Sequence, residues 1–213
     1  MTPRGKRLHE ELLQQRRVQG LEGFQRRVAN VVPTRRSFLI VCGGQETEPN
    51  YFLAFGLPSA KVIGRGDDPL KLVEVAIGLK DADPGRHEYW CVFDRDSFPP
   101  NRFNTAIETA RANGFQVAYS NEAFELWYLL HYQYIDAGIA RSLYGRKLEA
   151  LLNHAYAKNS EAMYAELRDR QDTAIQNAER LLASYGASHN PESANPSTTV
   201  HFLVRALNAA LSA

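Results

Sequence analysis

Tyr89–Phe93 (Y-W-C-V-F) is an unbroken run of aromatic and aliphatic residues that stops at two carboxylates, Asp94 and Asp96. A continuous apolar run this short reads as a strand covered on both faces, the situation of a strand inside a parallel sheet. Ligands collect at the carboxyl ends of such strands. On an extended strand end, residues i and i+2 point the same way, so Asp94 and Asp96 are expected to face one site. With no cation between them they would repel and raise a pKa. A hard divalent cation, Mg2+ or Mn2+, is the natural way to hold them together. The competing reading is an Asp pair that ends the strand as a turn or helix cap.

The flanking sequence repeats the strand-then-helix pattern. Ser37–Cys42 reads as a first strand, running into Gly43 and Gly44; Thr47 is then expected to cap a helix with Glu48 and Pro49 in its first turn. Lys61–Gly64 is a second, weaker strand, followed by Asp68 as N-cap and Pro69 as first helical residue. After Tyr89–Phe93, the residues Phe103, Ala106, Ile107 and Ala110 make an amphipathic helix that stops at Gly114. Phe115–Tyr119 is the fourth strand. The order β-α-β-α-β-α-β predicts an α/β fold with a parallel sheet of about four strands between helices. Ser120 and Asn121 are expected to cap the next helix, in which Glu125 stands among Phe124, Leu126, Trp127, Leu129 and Leu130. A carboxylate in such company is either partnered by a cation or functional. Met163, Leu167, Ala174, Ile175, Ala178 and Leu182 predict one long helix, and Asn195 and Pro196 the start of a final one.

Charge divides the chain. Residues 1–36 carry nine Lys or Arg against three Glu, whereas the remainder holds 16 basic and 21 acidic residues. The reading is therefore a basic, helical N-terminal arm over 1–36, an α/β core over 37–144, and C-terminal helices over 145–213 packed on that core. Arg16, Arg17, Arg26, Arg27, Arg35 and Arg36 suit contact with a polyanion. Cys42 and Cys91 each sit inside an apolar run, which favours buried thiols over a disulfide. No stretch approaches the roughly 18 apolar residues of a membrane span. The chain reads as soluble and cytoplasmic, with no membrane partner. Neither a P-loop nor a Rossmann glycine fingerprint is present.

Four segments together carry a resemblance. I-V-C-G-G-Q-E-T-E-P-N-Y-F (40–52), W-C-V-F-D-R-D (90–96), Y-S-N-E-A-F-E-L-W-Y-L-L-H (119–131) and N-P-S-T-T-V-H (195–201) resemble the motifs of the RloB family in order and spacing. The resemblance covers roughly residues 37–212. It implies a prokaryotic protein of the abortive-infection, anti-phage class, with a core similar to the Toprim fold of OLD-family nucleases, topoisomerases and primases. In that fold a Glu after the first strand and an Asp-x-Asp after a later one gather Mg2+ for phosphodiester chemistry. Carried over, Asp94 and Asp96 match the Asp-x-Asp and Glu48 the second acid of the first motif. The family usually reads C-E-G-E-K-T-E-P-N-Y-F; here Gly43 follows Cys42, so the principal Glu is missing, and Glu46 is the acid left in that loop to reach the metal instead.

The leading expectation is Mg2+- or Mn2+-dependent cleavage of nucleic acid, DNA or RNA, by a nuclease with other defence-system proteins as further partners. Glu48, Asp94 and Asp96 would hold the metal, with Glu46, Glu125 and His201 as additional catalytic candidates and the six arginines holding the phosphate backbone. Arg95, pointing away from the two Asp side chains, is expected to form a structural salt bridge. His131 and His201 are each either a general base or a packed, hydrogen-bonded histidine; Tyr51, Trp127 and Tyr128 are either base-stacking or core residues. A second expectation is a Toprim-like module without catalysis that binds nucleic acid or a partner protein. A third takes F-D-R-D-S as a haloacid-dehalogenase-type nucleophile motif; that family places the motif on the first strand, and here it follows the third.

Overall fold

The computed structural model describes residues 36–86, 88–96 and 101–213. The expected helical arm, with Arg16, Arg17, Arg26, Arg27 and Arg35, lies outside the described residues. Strands β1 (Phe38–Cys42), β2 (Ala60–Gly64), β3 (Glu88–Asp94), β4 (Gln116–Asn121) and β5 (Ser197–Thr198) form one sheet in the order β2-β1-β3-β4-β5. The first four are parallel and β5 runs antiparallel to β4. The helices are α1 (Thr47–Leu53), α2 (Pro69–Ala82), α3 (Arg102–Ala112), α4 (Glu125–Leu130), α5 (Tyr144–Leu152), α6 (Met163–Leu167), α7 (Gln171–Tyr185) and α8 (Val200–Leu211). This is an α/β fold of the kind the strand-helix alternation predicts.

Alternation along the strands divides the interior into two layers. Leu39 and Val41 of β1, Cys91 and Phe93 of β3, and Val117 and Tyr119 of β4 face α2 and α3 through Leu72, Val73, Phe103 and Ile107. Phe38, Ile40 and Cys42, with Trp90, Val92 and Ala118, face the other way. That second layer takes in Tyr51 and Phe52 of α1, all of α4's apolar residues, and Leu148, Leu167, Ile175, Leu203 and Leu207 from α5 to α8. Every residue of α4 is buried, and a helix apolar on every side but for Glu125 belongs inside a protein, not on its surface. Each large side chain buried there contributes about 1.5–3 kcal/mol.

Several local expectations change in the folded chain. Ser120 and Asn121 do not cap a helix; they extend β4, where they pair with Thr198 and Ser197. Pro196 does not start a helix either. Ser197 and Thr198 form the fifth strand, which is too short to show a periodicity, and the hydroxyls of Thr198 and Thr199 donate to the carbonyls of Tyr119 at 2.9 Å and Val117 at 3.0 Å. The single long helix expected from Met163 onward is broken by a 3-10 turn at Arg168–Arg170. Thr47 caps nothing: its hydroxyl donates to the carbonyl of Lys158 at 2.9 Å, pinning the segment before α6 onto α1. Asp68 does cap α2, accepting from the amides of Leu70 at 3.1 Å and Lys71 at 3.4 Å. Cys42 and Cys91 are free, buried thiols. Among the described residues no helix is long and apolar enough to cross a membrane.

An acidic cleft at the carboxyl edge of the sheet

β1 lies between β2 and β3. The chain leaves β1 for α1 in one layer and leaves β3 for α3 in the other. Adjacent parallel strands whose following helices go to opposite faces open a crevice at their carboxyl ends. A cavity of about 340 Å³ occupies this place, lined by the Gly43–Glu48 loop, by Phe93, Asp94 and Asp96 at the end of β3, and by Phe124, Glu125, Arg141 and Lys158.

The loop after β1 is shaped by close approach. A β-carbon on Gly44 would stand 2.0 Å from a carboxylate oxygen of Glu48, so glycine alone leaves Glu48 room to fold back over the loop. There Glu48 accepts the Gly44 amide at 3.2 Å. Glu48 is 5% exposed, and burial raises its pKa, with Glu125 and Asp96 adding to the effect.

Asp94 ends β3 beneath the first turn of α4, and its Oδ2 accepts the Phe124 amide at 3.0 Å. Its Oδ1 is buried and has no hydrogen-bond partner among the described residues. Burial, then the charges of Glu48 and Glu125, drive the Asp94 pKa well above the carboxylate range against the opposing pull of Arg141. Asp96 departs from the extended geometry expected for it: its φ of 45° puts it in the left-handed region, in a turn rather than on the strand. Arg141 spans the two carboxylates. Its Nη1 pairs with Asp96 Oδ1 and its Nη2 lies 3.6 Å from Asp94 Oδ2. Glu125 accepts the Tyr156 hydroxyl at 3.1 Å and stands 3.6 Å from the Lys158 ammonium. Arg95 turns away, as expected, to pair with Glu192 at 3.3 Å.

Of the residues singled out in the sequence, Glu46, Glu48, Asp94, Asp96 and Glu125 all line this cavity. His201 does not. It is fully buried on α8 against the ring of Phe202, so it reads as a packed residue and not as a catalytic one. His131 is likewise buried, with Nδ1 2.8 Å from the Trp127 carbonyl. Tyr51, Trp127 and Tyr128 are core residues. Arg36 sits at the opposite, amino-terminal edge of the sheet, paired with Glu88. The sequence reading missed Arg141 and Lys158. Neither stands in a motif, and both reach the cleft only because the segments carrying them fold back across it.

Among the described residues, six carboxylates and two cations line the cavity. Oxygen-only donors, an excess of negative charge and an orphaned buried Asp94 oxygen fit a hard divalent cation in kind. Among the described residues, however, no three His, Cys, Asp or Glu side chains stand close enough together to hold a metal ion. The donors are present and Arg141 stands among them.

No curated protein and no solved structure matches the chain. A family model described as RloB-like protein matches residues 38–207, a span that runs from β1 into α8 and includes every acid of the cleft. The chain therefore belongs to the RloB-like family.

Proposed function

We propose that the protein is a divalent-metal-dependent phosphodiesterase that cleaves nucleic acid in anti-phage defence of the abortive-infection type. One observation carries this reading: Glu48, Asp94, Asp96 and Glu125, brought from three separate elements, converge on one cleft in which a buried Asp94 oxygen has no partner among the described residues. To hold Mg2+ or Mn2+, Asp94, Asp96 and Glu48 would have to draw closer together than they stand, with Glu125 and Glu46 at the margin. When bound, the metal supplies Lewis acidity and an activated water for attack on phosphorus. The chain's own part is to arrange the charges. The Phe124 amide orients Asp94, the Gly44 amide orients Glu48, and the Tyr156 hydroxyl holds Glu125. Lys158, 62% exposed at the rim, is placed to meet a phosphate oxygen. A bare cleft this acidic repels a polyanion, so nucleic acid is expected to engage it only once cations are present.

Titration of the full chain with Mn2+ by calorimetry, on wild type and Asp94→Ala, tests the reading together with cleavage assays on DNA and RNA. Binding and cleavage that vanish together in the mutant support it; a mutant that still cleaves would sink it. The second reading, a module that binds nucleic acid without cutting, is favoured by Gly43 at the position of the family's Glu and by the two cations already on the acids. It predicts salt-sensitive binding and no metal-dependent cleavage.

A further inference from the structure

The cleft's own cation invites a question that the metal reading leaves open. Arg141 opens the short 3-10 turn Arg141–Leu143 and is tied to Glu122 twice. Its backbone amide donates to Glu122 Oε2 at 3.0 Å and its Nη1 to the Glu122 carbonyl at 3.2 Å. From that anchor the guanidinium forks onto Asp96 and Asp94. A planar fork of donors is the side chain best matched to two carboxylates. Yet the fork leaves the demand of the site incomplete: among the described residues Asp94 Oδ1 has no partner, and Glu48 is held by the Gly44 amide.

Resting on the reading of the cleft as a metal site, we propose that Arg141 is its resident counter-cation, and that a divalent cation enters by displacing the guanidinium from Asp96 and Asp94. Exposure makes the exchange inexpensive. Arg141 is 38% exposed and Asp96 36%, so that arm of the fork is partly screened by water; Asp94 is 9% exposed, but the guanidinium meets it only at 3.6 Å. A divalent ion brings twice the charge and oxygen-directed coordination, which the orphaned Asp94 oxygen can use. The amide bond to Glu122 Oε2 does not involve the guanidinium, so the released side chain stays moored at the rim of the cleft. Lys158 differs: its ammonium stands 3.6 Å from Glu125, acts on Asp96 from farther off, and is far more exposed, so it competes less.

The test is Mn2+ affinity by calorimetry on the full chain, for wild type, Arg141→Lys, Arg141→Gln and Lys158→Gln, with thermal melts of each protein with and without Mn2+. Wild type is expected to bind most weakly. Arg141→Lys, which keeps a charge but loses the fork, should bind about threefold tighter, and Arg141→Gln about tenfold tighter. Without metal, Arg141→Gln should melt below wild type, and saturating Mn2+ should close that gap. Equal or weaker Mn2+ binding in both Arg141 variants overturns the proposal while leaving the metal site standing. A Lys158→Gln effect as large as that of Arg141→Gln also overturns it, since the cause would then be general charge and not displacement. Should Arg141→Gln fail to fold, the comparison of Arg141→Lys with wild type decides. If no variant and no wild-type sample takes up Mn2+, the metal reading falls and this proposal with it.

Discussion

Asp94 is where chemistry and folding pull against each other. A carboxyl whose pKa is raised on folding holds its proton more tightly in the folded state than in the unfolded one. Stability therefore falls as pH rises from the ordinary carboxylate range, about 4, through the raised value, and Glu48 and Asp96 contribute with the same sign. Asp94→Asn removes the largest part of that penalty while the Phe124 amide keeps an oxygen to donate to. The variant is expected to melt several degrees above wild type at pH 7, at about 2–4 °C for each kcal/mol gained, and to bind no Mn2+. Melts followed by circular dichroism at pH 5 and pH 8 check the sign: the gap should widen at the higher pH. A midpoint at or below wild type would mean that Arg141 already neutralises Asp94 in full.

At the scale of elements, the Gly43–Glu48 turn between β1 and α1 sets which acids reach the cleft. Gly43 lines the cavity, and a β-carbon there would meet Phe93 Cβ at 3.4 Å, an ordinary contact. Gly43→Glu should therefore fold, add the carboxylate that the family pattern carries, and raise both Mn2+ affinity and metal-dependent cleavage, by about tenfold in affinity for one added ligand charge. Unchanged binding, measured by calorimetry, would show that position 43 is not where the site lacks an acid. Gly44→Ala has the opposite effect. The added methyl displaces the Glu48 carboxylate, a flexible group that can move at little cost to the fold. Thermal stability should stay close to wild type while Mn2+ affinity drops; a matching loss of both would mean that the turn itself, and not Glu48, had been disturbed.

Across the described residues, two buried histidines act against the carboxylates. His131 Nε2 has no hydrogen-bond partner among those residues, His201 is fully buried, and burial pushes each pKa down to about 4. Both stay neutral in the folded core but take up protons when the chain unfolds. Stability is thus lost as pH falls from about 6.5 towards 4, by an amount on the order of 3 kcal/mol for each ring. His201→Leu should flatten this acid-side loss by about half in urea unfolding at pH 4.5 and pH 7, with no change in Mn2+ binding, because His201 does not line the cleft. A loss of metal affinity in that variant would return His201 to the site.

The sequence by itself determined the sheet and most of the acids. An unbroken apolar run can be covered only on both faces, so Y-W-C-V-F had to lie inside a layered α/β fold, and the acids after it had to fall at the sheet's carboxyl edge. Strand spacing and the Asp68-Pro69 signal are local, and they survived folding. Tertiary structure decided the rest. Asp96 was read as extended, but its left-handed backbone places it in a turn, and Arg141 spans it and Asp94. β5 has two residues, too few for any pattern, and exists because Thr198 and Thr199 find carbonyls on β4 about 80 positions earlier. Arg141 and Lys158 carry no local signal at all. Their charges enter the cleft through Coulomb attraction to acids 33 to 47 residues away in sequence, a distance that no periodicity can register and that only the folded chain closes.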